Sequence, residues 1–234
     1  MIKAVLWDID GTLLDFLLSE KVAVRACFQK FNLGQCTDNM IQQYSAINVG
    51  FWKKLERGEM TKPEILVGRF AEFFRQIGID PALAPHFNAE YQIRLGDTAS
   101  FQKNALETVK ALEGKVMQCA VTNGTTIAQE RKLALCGLDK ILDKVFISEI
   151  VGAEKPNRAF FDKVFQEIGK TTSHLPSEML IVGDSLTSDI QGGVNAGIKT
   201  CWYNPKGVKN PIPVPDYEIS DLSRVLEIVN QEEK

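Results

Sequence analysis

Residues 3–12 read Lys3-Ala4-Val5-Leu6-Trp7-Asp8-Ile9-Asp10-Gly11-Thr12. The run from Lys3 to Asp8 is nearly continuous in apolar side chains, as in a parallel strand covered on both faces, and it stops at carboxylates and a glycine. In a parallel α/β sheet the carboxyl ends of the strands form the ligand crevice, which places Asp8 and Asp10 in it, spaced so that both approach one centre. Read alone, the same residues also fit a plain strand-to-turn boundary, where Asp and Gly are common.

Further apolar runs lie at Val116–Thr122, Lys144–Ser148, Met179–Val182 and Lys199–Tyr203, with a weaker one near Asp216–Ile219. Segments of helical spacing alternate with them, at about Asn104–Glu113, Thr126–Cys136, Arg158–Ile168, Thr187–Ala196 and Leu222–Asn230. The alternation predicts an α/β fold with a doubly wound parallel sheet. From about Phe16 to Gly96 no strand candidate occurs, and the text reads as several amphipathic helices inserted after the first strand. Within it, Thr61-Lys62-Pro63-Glu64 has the form of a capping box opening a helix that carries Ile65, Phe70, Phe73, Phe74 and Ile77. The predicted division is a core of residues 1–15 and 97–234 around a helical insertion of residues 16–96. The proline-rich stretch Pro205–Pro215 reads as a surface loop.

Over 234 residues, 44% hydrophobic and 24% charged side chains allow a buried core without disulfides and exclude global disorder. Twenty-seven Lys and Arg against thirty Asp and Glu leave a net charge of -3, which argues against a nucleic acid polymer as partner. Cys27, Cys36, Cys119, Cys136 and Cys201 form no CxxC pair and read as free thiols in a reducing compartment. No basic segment precedes an apolar signal core, and no stretch is apolar enough to span a bilayer, so a cytoplasmic location away from membranes is expected.

The fourth apolar run ends in Gly183-Asp184-Ser185-Leu186-Thr187-Ser188-Asp189, adding carboxylates at the same sheet edge. Asp189 alone also reads as an acid in the first turn of a helix. Thr122-Asn123-Gly124 ends the second run and opens a helix, offering a hydroxyl, an amide and backbone N–H groups suited to an anion, or a plain turn. Lys155-Pro156 precedes another helix, with proline near its first position and a cation on the loop. The order carries the signal: acid pair, Thr-Asn-Gly, Lys-Pro, then Gly-Asp with a second Asp, each after a predicted strand.

This set resembles the haloacid dehalogenase (HAD) superfamily of aspartate-dependent phosphohydrolases, whose motifs follow the same order on a Rossmann-like core with a mobile cap. The resemblance spans nearly the whole chain, and the insertion is similar to the cap type that joins the core just after the first strand. Tyr44, Asn48, Trp52, Gly58 and Arg69-Phe70, with Gly183–Ile190, Gly192-Gly193, Asn195–Gly197 and Thr200–Trp202, resemble the YjjG-type pyrimidine 5′-nucleotidase branch. Members of that branch often carry an acidic residue where this chain has Gly11, although glycine is common there across the superfamily.

The resemblance implies that Asp8 is a nucleophile forming an aspartyl-phosphate, and that Asp10 protonates the leaving oxygen before activating water. A carboxylate attacking a phosphate dianion meets like charge, which Mg²⁺ and Lys155 would offset. Mg²⁺ suits the Asp8 carboxylate, the Asp10 main-chain carbonyl and Asp184, with Asp189 orienting the set. Three ionised carboxylates, Asp8, Asp184 and Asp189, then match Mg²⁺ plus Lys155, which leaves Asp10 able to be neutral. Thr122, the Asn123 amide and Lys155 are expected to hold the phosphoryl group, and Thr12 to support the turn.

Tyr44, Asn48 and Trp52 recur every fourth residue and share a helix face, which reads as packing ahead of contact with a base. Arg69 either pairs with a glutamate of the insertion or faces the substrate. His86 and His174 show no metal-ligand pattern. The expected function is hydrolysis of a small phosphate monoester, a pyrimidine nucleoside monophosphate first, by a monomer or weak homo-oligomer. A broad sugar-phosphate or phosphoglycolate phosphatase is the alternative, and a catalytically silent binding protein the alternative of another class. Asp10 speaks against dehalogenation, where no leaving oxygen needs a proton.

Overall fold

A strand without polar alternation has to be covered on both faces, and the computed structural model, which describes residues 1–209 and 211–231, shows such a sheet. Its strands are β1 (Ala4–Trp7), β2 (Met117–Thr122), β3 (Lys144–Ile147), β4 (Met179–Gly183), β5 (Lys199–Tyr203) and β6 (Tyr217–Ile219). They lie in the order β3-β2-β1-β4-β5-β6, and every neighbouring pair is parallel. Leu6 pairs with Cys119 on one side and Ile181 on the other, so β1 is central. The chain winds outward through β2 and β3, then returns to β4 across β1, which makes the β1/β4 boundary the switch point where such sheets place ligands.

Contacts divide the chain into two units. One comprises Met1–Asp15, Ser100–Thr126 and Cys136–Lys234, the other Phe16–Ala99 and Ile127–Leu135. The insertion unit contains α1 (Phe16–Lys30), α2 (Asp38–Glu56), α3 (Lys62–Ile77) and α4 (Ala84–Gly96). Its interior is aromatic: Phe28, Tyr44, Phe70, Phe73, Phe74, Phe87 and Tyr91 are all buried, and Tyr44 stacks on Phe70 with ring centroids 4.8 Å apart. Each such side chain contributes about 1.5–3 kcal/mol on burial, enough to hold four helices without a sheet. At the start of α3 Glu64 reaches back to accept from the Thr61 N–H (2.8 Å) and hydroxyl (2.7 Å), so the expected box closes through the glutamate.

The sheet unit adds α5 (Ala105–Leu112), the ends of α6 (Thr126–Cys136), α7 (Ser148–Val151), α8 (Arg158–Gly169), α9 (Gln191–Ala196) and α10 (Val225–Gln231). Phe160, Phe161, Val164 and Ile168 of α8 pack on a sheet face formed by Leu6, Val121 and Ile181. The strand expected over Lys144–Ser148 stops at Ile147, and Ser148 instead begins α7. The single helix expected over Thr187–Ala196 is a π-helical turn, Leu186–Ile190, running into α9. The Ser185 hydroxyl accepts from the Ser188 N–H (3.1 Å), and the Asp189 carboxylate turns back to the Ser185 N–H (3.1 Å), which widens this turn. Residues 205–209 and 211–215 form a loop, pinned at its start where the Asn204 amide bonds the Val208 main chain. The five cysteines are free thiols, and all but the half-buried Cys136 are buried.

Candidate active site

The carboxyl ends of β1, β2 and β4 bring the motif residues together. Asp8 follows the last residue of β1, its N–H donating to the Val182 carbonyl (2.9 Å), so its side chain leaves the sheet at the switch point. Lys155, 1% exposed, reaches the same point from the loop before α8. Its ammonium contacts three oxygens: Asp8 Oδ1 (2.8 Å), Asp189 Oδ1 (2.6 Å) and the Val121 carbonyl (2.6 Å). Three donors meet three acceptors, so a buried cation that would otherwise be costly is fully satisfied. Burial alone would lower the Lys155 pKa, but the Asp189 and Asp8 charges outweigh it and hold the ammonium above the ordinary lysine value. For Asp8 the balance goes the other way: burial, then the Asp189 charge, push its carboxyl up to about 7 against the pull of Lys155.

Thr12 ties the first and last motifs together. Its fully buried hydroxyl donates to Asp8 Oδ2 (2.9 Å) and accepts from the Asp184 N–H (3.0 Å), more than the turn support expected of it. Gly11 sits at φ +99°, where a side chain is strained, and a Cβ there would lie 2.6 Å from Asp184 Oδ2. Gly183 likewise leaves the space into which the Asp189 carboxylate folds. The two glycines are what let the β1 and β4 ends close on each other.

Asp8, Asp184 and Asp189 each offer a carboxylate oxygen, all within 4.8 Å of one another. An all-oxygen set with excess negative charge fits a hard divalent cation. Asp184 is the exposed member, whereas both Asp189 oxygens are engaged, one by Lys155 and one by the Ser185 N–H. Asp10 is half-buried on the turn after β1, in a bridge with Leu14.

At the end of β2 the Thr122 hydroxyl accepts from the Gly124 N–H (3.1 Å). The Asn123 amide, expected to hold a phosphoryl oxygen, is engaged within the protein. It bonds both ends of the Lys155 residue, accepting from its N–H (2.9 Å) and donating to its carbonyl (2.8 Å), and so fixes the backbone from which the ammonium is aimed. Two further groups complete the site: the Val121 carbonyl, a main-chain group with no residue-type signature, and the Trp202 indole, which donates to the Asp184 carbonyl (2.9 Å), a role that the Thr200–Trp202 pattern does not announce.

The stripe on α2 lies largely inside the insertion unit. Tyr44 and Asn48 are buried, and Trp52 is half-buried. The Asn48 amide donates to Glu20 Oε2 (2.7 Å) and accepts from Arg69 Nη1 (2.7 Å). Arg69 also donates to the Asn88 amide oxygen (3.3 Å) and the Leu66 carbonyl (3.3 Å). The partners of Asn48 and Arg69 are thus residues of the insertion itself, and Arg69 meets the glutamate through an amide rather than directly.

Carboxylates and one buried lysine at the switch point of a parallel sheet define an α/β enzyme with a charged hydrolytic centre. The chain belongs to the haloacid dehalogenase-like hydrolase family, which matches residues 2–197. It is 34% identical over 231 residues to the HAD-hydrolase YfnB of Bacillus subtilis, covering 98% of this chain and 96% of that protein. A crystal structure of YfnB bound to magnesium superposes with a TM-score of 0.91, at 33% identity, covering 98% and 99% of the two chains. The pyrimidine 5′-nucleotidase PynA of Streptococcus pneumoniae is 34% identical over 233 residues (98% and 95% covered), and YjjG of Escherichia coli, also a pyrimidine 5′-nucleotidase, 27% over 226 (96% of each). Among the described residues no helix is long and apolar enough to cross a membrane.

Proposed function

We propose that this hydrolase is a magnesium-dependent phosphatase of small phosphate monoesters, acting on pyrimidine nucleoside 5′-monophosphates, with residues 16–96 as the cap that selects the substrate. The observation that carries the chemistry is Lys155 held between Asp8 and Asp189 with Asp184 alongside, a centre that has negative groups to spare and one fixed cation. The likeness to PynA and YjjG over nearly the full chain supports the nucleotide.

Asp8, the Asp10 main-chain carbonyl and Asp184 would hold the metal, and Asp189 would orient Lys155 and the set. Bound magnesium supplies positive charge beside the nucleophile and the phosphoryl oxygens. An Asp8 oxygen attacks phosphorus, the ester P–O bond breaks, and the Asp10 carboxyl gives its proton to the leaving oxygen. Asp10, now a carboxylate, takes a proton from water, whose oxygen releases the phosphoryl group from Asp8 as inorganic phosphate. The Thr122 hydroxyl and the backbone N–H groups beyond β2 hold the phosphoryl oxygens, while Lys155, its hydrogens already used, acts through charge.

Phosphate release from a panel of nucleoside and sugar monophosphates, with magnesium or with chelator, tests this reading. The expected result is magnesium-dependent release with the highest kcat/KM on pyrimidine nucleotides. Equal or better turnover of sugar phosphates overturns the nucleotide assignment, and no release from any monoester overturns the phosphatase.

A further inference from the structure

We infer that Trp202 is a positioning residue for Asp184 and thereby sets the protein's affinity for magnesium. The inference rests on the reading that Asp184 is a metal ligand. In the β4–β5 ladder Gly183 is paired with Trp202, and Asp184 is the first residue beyond it. There the sheet no longer dictates where a peptide group points. Three side chains fix it instead: the Asp184 N–H donates to Thr12 Oγ1 (3.0 Å), the Asp184 carbonyl accepts from Trp202 Nε1 (2.9 Å), and the Ser185 N–H of that same peptide donates to Asp189 Oδ2 (3.1 Å). Beyond its own main-chain N–H, the Asp184 carboxylate has only a 3.5 Å approach of the Thr12 hydroxyl at Oδ1, and the side chain is exposed. Its aim is therefore set by the peptide from which it hangs. The Trp202 indole is 4% exposed and cannot swing away, and the Asn204 amide ties down the chain two residues on. Removing the indole N–H leaves the carbonyl of this peptide unheld, with Asp189 alone to fix its tilt through the Ser185 N–H, while the ring's packing can be kept.

The test compares wild type with Trp202→Phe, and with Trp202 replaced by benzothienylalanine, which keeps the ring outline without the N–H. Magnesium Kd is measured by titration calorimetry on the full chain, together with the metal-free Tm and kcat at rising magnesium. The expected result is a Kd about tenfold weaker in both, as for other residues that orient metal ligands, with kcat restored at saturating magnesium. If Trp202→Phe does not fold, the benzothienyl protein gives the same reading. A Kd within about twofold of wild type overturns the inference, because a hydrogen bond of ordinary strength exceeds that. So does a kcat deficit that saturating magnesium does not restore, which marks general damage. Wild type that binds no magnesium overturns the parent reading along with this one, and is seen before any variant is made.

Discussion

The metal-free protein should lose stability as pH rises from the acid range toward neutrality, and the buried Asp8 carboxyl is one cause. Burial and the neighbouring Asp189 charge raise its carboxyl from 3.8 to about 7. A raised value favours the protonated folded form, so the contribution is complete below the unfolded value and is lost as pH climbs through the folded one. At about 1.4 kcal/mol per pH unit the whole loss is on the order of 4 kcal/mol, more than half of it between roughly pH 5 and pH 7. Urea unfolding in chelator across that range measures it. Asp8→Asn removes the titrating group, so the variant should exceed wild type at the upper end, with the gap closing toward about pH 4. Magnesium should abolish most of the fall in wild type by binding the folded carboxylates, and do far less for the variant. Parallel stability profiles for wild type and Asp8→Asn would refute the assignment of the strain to this carboxyl.

Asp10→Asn should reduce turnover of alkyl phosphates by about 10²–10⁴-fold, and of aryl phosphates, whose leaving groups need little protonation, much less; steady-state kinetics on both classes decides. Lys155→Met leaves two buried carboxylates without their cation and should cost about 3–5 kcal/mol in urea unfolding at neutral pH, less in acid, with phosphate release abolished. Arg69→Met strands Asn48 and Glu20 inside the insertion and should lower stability by about 2–4 kcal/mol while leaving magnesium Kd unchanged, a pairing that calorimetry and thermal melts check together.

The parallel sheet was legible because its strands are apolar on both faces and stop abruptly at Asp8, Thr122 and Asp184, a pattern no amphipathic element produces. What residue type cannot reveal is the direction of a short polar side chain. Asn123 reads as an anion donor, and its amide turns instead to the Lys155 main chain, because a loop carrying a buried cation leaves peptide groups that need partners. The π-helical turn at Leu186–Ile190 was hidden for a related reason: Asp189 leaves helical register to reach Lys155, a residue 34 positions away. On α2 the fourfold spacing identified a shared face correctly, and periodicity carries no label for what that face meets.

The polar thread inside the insertion runs from Glu20 on α1 through Ser45 and Asn48 on α2 to Arg69 on α3 and Asn88 on α4. One line of hydrogen bonds therefore visits all four helices, with Glu20, Asn48 and Arg69 buried and each member leaning on the next. Its consequence is for how the sequence can drift. Losing any single member orphans a neighbour, whereas replacing several together by apolar groups of like volume need not, so viable routes through these positions pass in coordinated steps. Homologous insertions should accordingly carry the thread whole or have exchanged it whole for oil, with mixed versions rare.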